Sequence, residues 1–76
     1  MFKEYILANQ NGIPAAQQMK YGIDLMKIIT YTRDPINNRT TITGNGVSAS
    51  LTMTPDEHET FLTNLKTANR LKSAYE

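Results

Sequence analysis

The residue that most invites an acid–base or metal reading is His58, the one histidine in a sequence without cysteine. It stands beside Asp56, Glu57 and Glu59, and an imidazole among carboxylates is the residue mix of a metal centre or a general acid–base pair. Ligands on one helix must share a face at separations of three or four. From His58 those positions are Thr54, Pro55, Phe61 and Leu62, none of them a carboxylate or an imidazole. The acids are accounted for as favourable charge at a helix N-terminus. A nucleophile could be sought in Ser48 or Ser50 with His58, but neither serine sits on a strained turn and no third group would orient the ring. Both read as the solvated face of a strand. Gly44-Asn45-Gly46 precedes a strand and not a helix N-terminus, so it is a hairpin turn and not a phosphate cradle. Asn38-Arg39-Thr40 matches the glycosylation acceptor pattern, a short match without weight in a chain expected to stay inside the cell. No catalytic residue, metal site or cofactor is expected.

Nucleic-acid recognition is the alternative with some pattern behind it. Tyr21-Gly22-Ile23-Asp24 followed by Ile28 and Tyr31 has the rhythm of the turn and second helix of a helix-turn-helix, with a later hairpin as a wing. Against it, Gln18 stands where that motif wants a small buried residue, and Leu25 and Met26 would be exposed. In this alternative, helix-turn-helix-like or hairpin-based, the contacts would come from Lys20, Lys27, Arg33 and Arg39. The formal net charge of +1 is too small to be an electrostatic footprint by itself.

The elements that position these residues are clearest near the end of the chain. In Val47-Ser48-Ala49-Ser50-Leu51-Thr52-Met53 apolar and hydroxyl residues alternate strictly, the pattern of a strand with one buried face. Thr54-Pro55-Asp56-Glu57 then supplies an N-cap, a proline at the first helical position and a glutamate able to reach back to the cap. Phe61, Leu62, Leu65, Ala68, Leu71, Lys72 and Tyr75 continue at helical spacing, so one face of this helix should pack on the strand.

Upstream, Leu25 to Arg33 is rich in β-branched and aromatic residues and is closed by Asp34-Pro35, which predicts a first strand. Arg39 to Thr43 predicts a second. At residues 1–10 Phe2, Tyr5, Ile6 and Asn9 fit one helical stripe ahead of Asn11-Gly12, although Phe2, Glu4, Ile6 and Ala8 also alternate loosely as a strand would. Ile13 to Tyr21 begins with a proline and contains good helix formers, with Gly22 as a stop. The expected architecture is a single α+β domain over residues 1–76. It has short N-terminal helices, a three-stranded antiparallel meander and a C-terminal amphipathic helix packed on one sheet face.

A chain of 76 residues buries only about 60% of its unfolded surface, so a partner or a second copy would add stability. No apolar run approaches the roughly 20 residues of a membrane span, and the N-terminus has no leader-like pattern; a cytoplasmic protein off the membrane is expected. In size, in the lack of cysteine and in the lack of a catalytic constellation the chain is similar to small accessory proteins of phages and mobile elements. That resemblance implies a binder that blocks a host protein. The reading is therefore a non-enzymatic protein-binding module. Its contacts would come from an aromatic patch and the hairpin tips: Tyr31, Arg33, Ile36, Asn37, Asn38, Arg39, Asn45 and Tyr75. Self-association through an exposed strand edge is the remaining possibility.

Overall fold

The computed structural model describes the backbone of residues 2–74 and the side chains of residues 2–72. The chain runs β1 (Phe2–Leu7), β2 (Lys20–Asp24), β3 (Ile28–Asp34), β4 (Arg39–Gly44), β5 (Val47–Thr52) and α1 (Pro55–Ala74). The strands form one antiparallel sheet in the order β2-β1-β5-β4-β3, and α1 covers one of its faces. The fold class is α+β as expected, and β3-β4-β5 is the expected meander.

At the β5–α1 junction the local signals act as read. The Thr54 hydroxyl accepts from the Glu57 N–H at 3.2 Å, and the Glu57 carboxylate accepts from the Thr54 N–H at 3.0 Å. This reciprocal cap satisfies two amides that a helix start would otherwise leave bare. The alternation in β5 buries Val47 and Leu51, with Met53 following them inward. They meet Phe61, Leu65 and Ala68 of α1, and Ile23, Leu25, Ile28 and Ile42 complete the core. Burying these side chains stabilises the fold by about 1.5–3 kcal/mol for each large one. On the opposite face of the sheet, hydroxyls pair across strands, Thr30 with Thr43 and Thr41 with Ser50.

The N-terminal third departs from expectation. Residues 1–10 were expected to be helical, and Phe2–Leu7 is a strand. Only Ala15–Gln17 of the second expected helix is helical, as a single 3-10 turn, and Lys20–Asp24 is a further strand. The reason lies outside the segment. β5 has a second edge, and β1 pairs with it through Ile6–Thr52 and Leu7–Leu51 while β2 pairs with β1 in turn. Ladder hydrogen bonds and the Tyr5 ring against Phe61 at 5.8 Å outweigh helix propensities worth a few tenths of a kcal/mol per residue. The connecting loop is held by Gln10, whose amide donates to the Leu7 and Met19 carbonyls and accepts from the Met19 N–H. The meander's first strand also begins later than expected. Leu25–Lys27 is a 3-10 turn, capped by the Asp24 carboxylate accepting from the Met26 N–H at 3.0 Å.

Two features shape the β3 side. The ladder slips between Ile28 and Thr30, which leaves Ile29 as a bulge and 61% exposed. Gly44 faces that slip because a Cβ there would run into the Lys27 carbonyl, which accepts from the Asn45 N–H at 3.1 Å.

Candidate functional site

The side chains first considered for chemistry are kept apart by the sheet. Ser48 and Ser50 lie on the face away from α1, opposite Thr43 and Thr41. His58 lies on the helix side, its ring stacked on Phe61 at 6.1 Å and edge-on to Tyr31 at 6.4 Å. Its Nε2 is buried without a hydrogen-bond partner. Burial and then the nearby Arg33 guanidinium push its pKa below the usual value, with Glu59 opposing. Among the described residues no three His, Asp or Glu side chains are placed to hold a metal.

The basic residues do not form one surface. Arg33 lies on the helix side of the sheet and donates to the buried Thr40 hydroxyl at 3.0 Å. Arg39 lies on the other face and donates to the Asn9 carboxamide at 2.7 Å. Lys20, on β2, is separated from Arg39, on β4, by the two strands β1 and β5, and Lys27 is in the 3-10 turn before β3. The helix-turn-helix expectation fails outright, because residues 15–31 hold two 3-10 turns and two strands. No helix among the described residues is long and apolar enough to cross a membrane.

The expected partner-binding residues are divided as well. Asn37 and Asn38 build their own hairpin. The Asp34 carboxylate accepts from the Ile36 and Asn37 N–H groups and from the Asn37 side chain at 2.7 Å, bonds that hold the Asp34 pKa down, the Asn37 side chain most. The Asn38 carbonyl accepts from the Met53 N–H. At the tip Ile36 is 91% exposed, with Pro35 and Asn37 exposed on either side of it. Asn45 sits in the other hairpin, at the opposite end of β4. Tyr75 lies outside the described residues.

Tyr31 is the exception, because the fold gives it company. It lies on the helix side of β3, half-exposed, with its ring packed edge-to-face with Phe61, the two centroids 5.8 Å apart. Across from it α1 presents Glu59, Leu62, Lys66 and Asn69, and the two elements enclose a groove of about 280 Å³ floored by Leu65. β3 is an edge strand of the sheet, so beyond the bulge at Ile29 alternate N–H and C=O groups point away from β4 with no ladder partner among the described residues. The strand is seven residues long, and Ile29, Thr30, Tyr31 and Thr32 are types that pair readily in sheets.

Neither of the other surfaces combines these properties. A groove of about 340 Å³ on the far flank of α1 runs past Tyr5, Thr60 and Asn64. It lies over β1, which is paired on both sides. The Tyr5 hydroxyl is buried there without a partner, and burial raises its pKa. The other edge strand, β2, is five residues long and carries Lys20 and Asp24 at its ends. Its Gly22 lies under the Phe2 ring, which a Cβ would strike. Both edges carry charges at an end, but β2 is also short and interrupted by glycine, features that resist strand pairing.

Glu59, Leu62 and Lys66 are not among the partner-binding residues expected from the sequence. Their spacing was legible, since Glu59, Leu62, Lys66 and Asn69 follow at three, four and three beside the buried stripe of Phe61, Leu65 and Ala68. What they face was not. No protein-family model, no curated protein and no solved structure matches this chain.

Proposed function

We propose that this chain is a non-enzymatic protein-binding module that takes an extended segment of a partner as an added strand on β3, with alternate side chains of that segment seated in the groove against α1. One observation carries the reading: the longest strand of this sheet is also one of its two edges, and a groove against α1 opens beside it. Main-chain bonds along such an edge supply affinity and the adjoining groove supplies selectivity. Each bond contributes about 0.5–1.5 kcal/mol net, so a short segment reaches useful affinity only if the groove is filled too. A protein of this kind acts by occupancy, which suits a blocker of its partner.

The test is selection of displayed random segments on the immobilised chain, repeated with Tyr31→Lys and with Ser48→Lys. A lysine on the β3 edge should abolish selection, and the same change on the far face of β5 should not. Amide hydrogen exchange with a selected segment should slow along β3. Segments that bind the Tyr31→Lys protein undiminished would place the site elsewhere.

A further inference from the structure

The groove has a direction and a charge pattern that restrict what can lie in it. α1 starts beside the end of β5, where Thr52 pairs with Arg39 and Arg39 with Asp34. It therefore runs from the Asp34 end of β3 back toward the Ile28 end, and the His58 ring against Tyr31 has the same sense. Glu59 lies toward Arg33, and Lys66 lies toward Ile29. These two charges are two helical turns apart, about 10 Å, and same-face positions on a strand recur every ~6.8 Å. Three alternate side chains of an added strand would thus pass Glu59, then Tyr31 and Leu62, then Lys66.

The two ends differ in how their charge is met. Both Glu59 and Arg33 act on His58, from opposite sides of the balance, so that end offers a partner no clear sign. Lys66 has Leu62, Thr63, Asn69 and Arg70 at the helical distances of three and four. None is acidic, and one is a like charge. Resting on the strand-addition reading, we infer that the segment taken by β3 runs antiparallel to it and carries an apolar side chain followed two positions later by an aspartate or glutamate. The apolar group packs on Tyr31 and Leu62, and the carboxylate meets Lys66. Antiparallel pairing is the pattern of every other strand here and the slightly more stable one. An added strand antiparallel to β3 runs along α1 in the same sense, which sets the order apolar then acidic.

A second copy does not fit this description. If β3 paired with itself about Tyr31, the partner's Arg33 would face Ile29 and approach Lys66, placing like charges together. The occupant is a different protein with an acidic extended segment.

Selection of random displayed segments on the full chain, on Lys66→Glu and on Tyr31→Lys decides the matter. Segments selected on the unaltered chain should share the apolar-x-acidic order. Those selected on Lys66→Glu should carry a basic residue at the acidic position. Exchanging the acid for lysine in a synthetic segment should weaken binding about fivefold or more, the scale of a partly exposed ion pair converted to affinity. Segments without an acidic preference, or with one that Lys66→Glu leaves unchanged, overturn the inference. If they still fail to bind Tyr31→Lys, strand addition itself survives. An acidic-x-apolar order overturns the antiparallel direction. Self-association in sedimentation velocity, abolished by Tyr31→Lys, makes the second copy the occupant and also overturns the inference. Selection indifferent to Tyr31, or no selection at all, removes both this inference and the function on which it rests.

Discussion

Replacing Phe61→Ala should remove the largest single share of this protein's stability that one side chain can supply. Phe61 is fully buried, and its ring meets Tyr5 and Tyr31 edge-on at 5.8 Å and His58 in a stack at 6.1 Å. Truncation of a buried phenylalanine costs about 3–5 kcal/mol, transfer and cavity together. Favourable aromatic pairs add about 0.5–1.5 kcal/mol each beyond area, and three such contacts push the value toward the upper end. A chain of 76 residues has in total only about 4–11 kcal/mol, at 0.05–0.15 per residue. Urea unfolding followed by far-ultraviolet circular dichroism reads the difference. With a slope of about 1 kcal/mol per molar, the midpoint should fall by roughly 3–5 M or the protein should be unfolded in buffer. Phe61→Leu keeps most of the apolar volume and should cost about 1–2 kcal/mol, within the range of ordinary core substitutions. A loss below about 1.5 kcal/mol for Phe61→Ala would mean that the ring is not enclosed by β1, β3 and α1, and would refute the packing of α1 on the sheet.

Thr54→Ala should cost about 1 kcal/mol by removing the hydroxyl that caps the Glu57 N–H, read as a shift in the same midpoint. Leu65→Ala should cost about 2–5 kcal/mol, and an unchanged thermal midpoint would show that the buried face of α1 is misassigned. His58 has its pKa lowered by burial and by Arg33, so the unfolded chain takes up the proton first. Stability present at neutral pH should begin to fall as pH drops below about 6.5 and level off below the folded value. The Asp24 and Asp34 carboxyls are also lowered, Asp24 mainly by the Met26 N–H and Asp34 by the Asn37 side chain. Their contribution is lost only at more acidic pH, as the pH falls below the ordinary aspartate range toward each carboxyl's depressed folded value. Thermal midpoints between about pH 7.5 and 5.5 should therefore decline in the unaltered chain and stay flat in His58→Phe. An equal decline in both would clear His58 of the effect.

The sequence by itself determined whatever could be decided within a few residues. Thr54-Pro55-Asp56-Glu57 starts a helix because the cap, the proline and the returning glutamate all act inside one turn. Val47–Thr52 is a strand because the apolar residues from Val47 to Met53 can share a face only with a period of two. The β3-β4-β5 meander followed because short polar turns join neighbours in the chain. Residues 1–24 were decided elsewhere. Phe2, Tyr5, Ile6 and Asn9 suit a helix as well as a strand, and the free edge of β5, more than forty residues away, selects the strand. The good helix formers at 13–21 yield only one turn, because β1 needs Lys20–Asp24 as its neighbour. The candidate site belongs to this second kind. Tyr31 and the spacing of Glu59, Leu62 and Lys66 are visible in the sequence, but strand order is not. Only long-range pairing leaves β3 as the outer strand and brings α1 alongside it, so that an edge and a groove become one surface.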